Sequence, residues 1–126
     1  MRLVRTCLIV ADVRAMREFY RRVLGAEPNP DFPEYVEFDV GGGAIALYEA
    51  RGHDQLAPGS AEAGRNRSSM VEIEVDDVDR EYARLDPIVR DWVKPPTTQP
   101  WGSRSVYFRD PEGNLINFFS RPPPAA

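Results

Sequence analysis

The chain is short of the residue types that most often carry chemistry. Among its 126 residues Cys7 is the only cysteine and His53 the only histidine. A single thiol excludes an internal disulfide and a thiolate zinc cluster. A single histidine leaves no Ser/His/Asp or Cys/His constellation for nucleophilic catalysis. Lys94 is the only lysine, the other basic residues being arginine. No apolar run approaches the roughly 20 residues that span a bilayer, and Met1 to Cys7 lack a signal-peptide pattern. A cytoplasmic protein without a membrane partner is therefore expected. The formal net charge of −4 disfavours nucleic acid as a partner, so Arg14, Arg17, Arg21 and Arg22 read as a solvated helix face.

What is present fits one small globular domain. Apolar residues make up 42% and charged residues 29% of the chain, which is ordinary for a folded domain, and the length suits a single core. Arg2 to Val10 reads as a strand. Asp12 offers a helix N-cap, Val13, Met16, Phe19, Tyr20, Val23 and Leu24 follow at helical spacing, and Gly25 stops the helix. Pro28, Pro30 and Pro33 leave irregular chain or a short edge strand. Glu34–Val40 and Ala44–Glu49 form a hairpin about the glycines 41–43. Residues 51–68 lack periodicity and read as a linker or mobile loop.

The pattern then begins again. Met70 to Val75 alternates, with Val71, Ile73 and Val75 opposite Met70, Glu72 and Glu74. Asp76 or Asp77 caps a helix carrying Val78, Tyr82 and Leu85, which Asp86-Pro87 ends. Ile88 to Val93 reads as a strand leading into a Pro-rich connection. Ser103–Arg109 and Asn114–Ser120 are strands joined by a turn at Asp110-Pro111-Glu112-Gly113. The echo extends to residues: Val10-Ala11-Asp12-Val13 against Val75-Asp76-Asp77-Val78, and Ile45 against Ile116. Such a repeat bears directly on the fold. The reading is α+β: two βαβββ modules, about 2–50 and 69–120, joined in one curved mixed sheet with helices outside. Residues 1–120 make one domain, and 121–126 a loose Pro-rich tail.

Two signatures carry a family resemblance. The first is Leu8-Ile9-Val10-Ala11-Asp12-Val13 with Phe19-Tyr20-Arg21-Arg22-Val23-Leu24-Gly25. The second is Gln99-Pro100-Trp101-Gly102 with Tyr107-Phe108-Arg109-Asp110-Pro111-Glu112-Gly113-Asn114-Leu115-Ile116. With these the chain resembles the vicinal-oxygen-chelate superfamily: glyoxalases, extradiol dioxygenases, and fosfomycin- and bleomycin-resistance proteins. Its pattern is most similar to the metal-free bleomycin-resistance type. The resemblance implies two metal ligands per module, usually His and Glu, on the first and last strands. The repeat sets those positions at Arg5, Ala46, Met70 and Asn117. Arginine keeps its proton, alanine has no donor, a thioether suits copper(I), and one amide oxygen is a weak ligand. No metal and no cofactor are expected.

The same resemblance implies a ligand cavity on the inner face. By strand parity its walls would include Arg5, Cys7, Ala46, Tyr48, Met70, Glu72, Asn117 and Phe119, with Phe32, Trp92 and Trp101 as aromatic clamps from nearby loops. Arg5 would pair with Glu72 or Glu74, or recognise an anionic or carbonyl group. Glu37 and Asp39 share a face of their own strand. The expected function is binding and sequestration of an antibiotic-like small molecule, cationic or aromatic, by a homodimer. The alternative is an enzyme of the same fold, a lyase, isomerase or dioxygenase relative, with an atypical or absent metal site.

Overall fold

Alternation of apolar and polar residues along the strands decides how each sheet is covered. In the computed structural model, which describes residues 1–122, the chain divides into two units, Met1–Arg65 and Asn66–Ala126. The first holds β1 (Thr6–Val10), α1 (Val13–Leu24), β2 (Tyr35–Val40), β3 (Gly43–Glu49) and α2 (Ala50–Leu56). The second holds β4 (Met70–Glu74), α3 (Val78–Leu85), β5 (Asp91–Thr98), β6 (Arg104–Arg109) and β7 (Leu115–Ser120).

The first sheet runs β1-β3-β2, with β1 parallel and β2 antiparallel to the central β3. Val10, Val36, Phe38, Ile45 and Leu47 are buried, together with Met16, Phe19, Tyr20 and Val23 of α1. Asp12 caps α1 by accepting from the backbone N–H of Ala15 at 3.0 Å. Gly25 closes the helix at φ 62°, with its N–H donating to the Arg21 carbonyl. That left-handed turn carries a steric penalty for any residue with a Cβ.

The second sheet runs β4-β7-β6-β5. Its helix side is aromatic: Trp92 lies 4.7 Å from Tyr82 and 5.6 Å from Phe108, and Phe108 lies 5.4 Å from Phe118, centroid to centroid. All three contacts are edge-on, the arrangement that ring quadrupoles favour. Asp77 caps α3 through the Arg80 N–H. The turn into β7 is fixed by Asp110, whose carboxylate accepts from the backbone N–H groups of Glu112 and Asn114 and from the Asn114 side chain.

Two expectations are corrected. The stretch read as linker contains α2, and Tyr48 explains why it folds there: its ring meets His53 edge-on at 6.0 Å, and a Cβ on Gly52 would sit 3.0 Å from it. A Cβ there would make the ring give by a few tenths of an ångström. The strand read as ending at Val93 continues through Pro95 and Pro96 to Thr98. It tolerates them because it is an edge strand whose register shifts on either side of Lys94. Residues 29–32, read as irregular chain or a short edge strand, contribute one bridge, Asp31 to Val36, and hydrogen bonds from Asn29 N–H to Glu37 O and from Glu37 N–H to Pro30 O. Pro28, Pro30 and Pro33 interrupt a longer ladder because proline has no N–H to donate. The expected loose tail lies largely outside the described residues.

Phe108 is fully buried between two rings, whereas Asp12 is an exposed cap. Phe108→Ala is expected to cost about 3–5 kcal/mol and Asp12→Ala about 1 kcal/mol, read as shifted midpoints in urea denaturation. Equal costs would contradict this account of the core.

Candidate functional site

In both units the side of the sheet away from α1 or α3 carries polar residues at the strand centres. In the first unit alternation places Arg5, Cys7, Glu37, Ala46 and Tyr48 there. The register sets Ala46 directly between Cys7 of β1 and Glu37 of β2. Arg5 precedes β1 and pairs with Glu37, Nε to Oε2 at 3.3 Å. Its partner is thus Glu37, and neither Glu72 nor Glu74: Glu72 is bonded to Asn117 and Glu74 pairs with Arg121 at 2.7 Å.

Tyr35 completes this group by donating its hydroxyl to Glu37 Oε2 at 2.8 Å. Partial burial, and then the hydrogen bond to Glu37, push its phenol up to about 12. Partial desolvation also pushes the Cys7 thiol up, with Arg5 pulling the other way and Glu37 adding to the rise. Cys7 is therefore held as a thiol and is a poor nucleophile or metal ligand. Tyr35 was missed by sequence reasoning. Its signal was the alternation of Tyr35, Glu37 and Asp39 against Val36, Phe38 and Val40. On this face a cavity of about 540 Å³ opens beside the hairpin, lined by Arg2, Leu3, Val4, Glu37, Asp39 and Ala44 among others.

In the second unit Asn117 occupies the centre of β7, flanked by Glu72 of β4 and Tyr107 of β6. It is only 3% exposed. Its Nδ2 donates to Glu72 Oε2 at 3.0 Å, and its Oδ1 is buried with no hydrogen-bond partner. A carboxylate can only accept, so the amide must turn its nitrogen toward Glu72 and leave its oxygen unmatched. Met70 is 45% exposed at the start of β4, and Phe119 lies half-buried near the end of β7. Glu72 and Met70 share the Asn117 face by alternation.

The aromatic candidates are dispersed. Trp92 belongs to the helix-side packing with Tyr82 and Phe108, on the face opposite Asn117. Its residue lies in β5, where alternation sends it inward. Phe32 lines a different cavity of about 410 Å³, with Arg14, Arg17, Asp31 and Pro33. Arg17 anchors that loop through a two-pronged contact with Asp31 at 3.0 and 2.7 Å. Trp101 stands in the turn between β5 and β6 and is 69% exposed. Tyr48 packs between Tyr35 and His53, and the His53 ring nitrogen contacts Ser60 Oγ at 2.9 Å.

Residues 2–118 match the model of the Glyoxalase/Bleomycin resistance protein/Dioxygenase superfamily, and the chain belongs to that family. It is 30% identical over 125 residues to the uncharacterized protein YraH of Bacillus subtilis (strain 168), covering 94% of this chain and 98% of YraH. Among solved structures it is similar to a glyoxalase/bleomycin resistance protein/dioxygenase from Nocardioides, with a TM-score of 0.81 and 28% identity over 99% of this chain and 86% of that one. A protein of unknown function from Agrobacterium tumefaciens str. C58 aligns with a TM-score of 0.83 and 30% identity, over 95% and 94% of the two chains.

The family's metal does not fit the residues at its usual positions. Arg5 offers a guanidinium already held by Glu37, Ala46 no heteroatom, Met70 a thioether, and Asn117 a single amide oxygen. The neighbouring carboxylates add one acceptor in each unit, each engaged with its own partner. Among the described residues no three His, Cys, Asp or Glu side chains cluster as a metal would need.

Two measurements follow. The folded state holds the Tyr35 proton more tightly than the unfolded chain, whose tyrosines titrate near 10. Its stabilising contribution is therefore complete below pH of about 10 and is lost as pH rises through about 12. Ultraviolet difference titration should show a late phenol that is lost in Tyr35→Phe and moves earlier in Glu37→Gln; a late phase of unchanged amplitude in Tyr35→Phe would contradict the network. At Asn117, replacing the unmatched amide by leucine should raise stability by about 1 kcal/mol in chemical denaturation. A loss of 2 kcal/mol or more would show the oxygen to be satisfied.

Proposed function

We propose that this protein binds and sequesters a small organic molecule without a metal ion, using the faces of its two sheets that are turned away from α1 and α3. The observation that carries the proposal is the donor set at the four family positions, which is one guanidinium, one methyl, one thioether and one amide. Metal-dependent members of the fold draw their Lewis acid from those positions, and these side chains cannot hold one. The unmatched Asn117 oxygen adds support. A buried polar group without a partner destabilises the fold by about 1–3 kcal/mol, and such groups concentrate where a ligand supplies the missing partner.

Each sheet is taken by itself: Arg5 and Tyr48 are the residues proposed to contact a ligand on the first, and Met70, Glu72, Asn117 and Phe119 on the second, with Trp101 in the turn after β5. Trp92 and Phe32 are left out, because one is packed under α3 and the other faces a separate cavity. The mixture of apolar walls and a few polar anchors suits an organic ligand. Fold membership alone would allow either chemistry or binding, and the donor set tips the choice toward binding. A homodimer is part of the proposal. β1 and β4 each end a sheet, and an unpaired edge is a natural place for a second copy to join.

Protein purified without added metal should contain less than about a tenth of an equivalent of zinc, nickel, iron or manganese by elemental analysis, an order-of-magnitude threshold set by the missing donors. It should also show raised melting temperatures with members of a panel of bleomycin-type, enediyne, mitomycin and phenazine compounds. Trp101→Ala should weaken such binding about tenfold, an aromatic contact being worth roughly 1 kcal/mol or more. Stoichiometric metal, or turnover of a bound compound, would replace sequestration with catalysis.

A further inference from the structure

We infer that the Asn117–Glu72 pair is a seat for a protonated amine or amidine, so that an organic cation stands where other members of the fold hold a metal. The inference rests on the proposed function and adds to it the chemical class of the ligand.

Three facts combine. The Asn117 oxygen is buried and unmatched, so what completes it must be a hydrogen-bond donor. Its orientation is forced, because the amide nitrogen faces the acceptor-only carboxylate of Glu72 at 3.0 Å. Glu72 itself is exposed, and no arginine or lysine among the described residues forms an ion pair with it within the 4.0 Å that defines such a contact. The neighbouring carboxylate, Glu74, is already neutralised by Arg121. Lys94 is the only lysine in the chain and lies in β5, on the far side of β6 and β7 from β4. The sheet thus holds a lone negative charge beside a lone acceptor, with no internal ammonium to meet them.

The chemistry then separates the possible occupants. A hydroxyl would satisfy the amide oxygen and leave the Glu72 charge unpaired. A divalent metal would find two oxygen donors where it needs six or more, or four in a tetrahedral site. A primary ammonium presents several N–H donors and one positive charge, so it can bridge Asn117 Oδ1 and the Glu72 carboxylate together. Met70 supplies an apolar flank for the rest of the ligand.

Benzylamine and benzamidine serve as probes, with benzyl alcohol as the neutral control, in thermal-shift and calorimetric titrations at neutral pH. Glu72→Gln is the decisive variant. Its amide can donate to Asn117 Oδ1 and accept from Asn117 Nδ2, so it satisfies the pair internally and removes the charge. It should melt a few degrees higher than the parent protein and bind both probes at least tenfold more weakly. Asn117→Leu should show the same loss of binding. Unchanged affinity in Glu72→Gln, equal binding of benzyl alcohol, or no response to either probe would overturn the inference. If aromatic antibiotics bind the parent and Glu72→Gln alike, the cation seat fails while sequestration stands. If stoichiometric zinc or nickel binds the parent in an Asn117-dependent way, sequestration fails as well.

Discussion

The apolar face of each sheet lies under one helix, α1 or α3, and that constraint organises the rest. A β-strand sends successive side chains to opposite faces. Once Val36, Phe38 and Leu47 in one sheet, and Val106, Phe108 and Phe118 in the other, are committed to the helix side, every alternate position is released. Arg5, Glu37, Ala46, Glu72 and Asn117 all occupy released positions. Folding therefore divides the chain between two tasks, and a single-residue slip in register would exchange them.

The polar side is asymmetric between the two units. In the first, a guanidinium, a carboxylate and a phenol satisfy one another: Glu37 accepts from Tyr35 and pairs with Arg5. In the second, an amide and a carboxylate meet as donor and acceptor, and the arithmetic leaves one oxygen over. The first group costs the fold little. The second is a local violation of the rule that buried polar atoms are matched, and such violations tend to be retained where something outside the chain resolves them.

Much of the fold was legible in the sequence. The doubled strand–helix–strand pattern, the Asp12 cap, a second cap at Asp76 or Asp77 and the Gly25 stop were all visible, because capping and periodicity are local signals. The misreadings arose where tertiary contacts override local preference. Residues 50–56 carry no apolar periodicity, and what α2 packs on is the ring of Tyr48 from the preceding strand. Pro95 and Pro96 argue against a strand until β5 is known to be an edge with a shifting register. At the site, parity correctly grouped Glu72 with Asn117, but the partner of Arg5 was not readable, because Glu37 lies on a strand two positions across the sheet. Trp92 illustrates the same gap: composition marks an indole as a clamp, while its place opposite Phe108 makes it core.

The prolines have a further consequence for how copies of this chain can add to one another. In the second sheet Pro95 and Pro96 disrupt the outer margin at β5, and in the first Pro30 and Pro33 flank the single bridge outside β2. Neither margin offers an unbroken row of amide protons, so lateral accretion is blocked on that side of each sheet. Lateral accretion is left to the margins at β1 and β4, whose strands carry no proline to interrupt their amide protons.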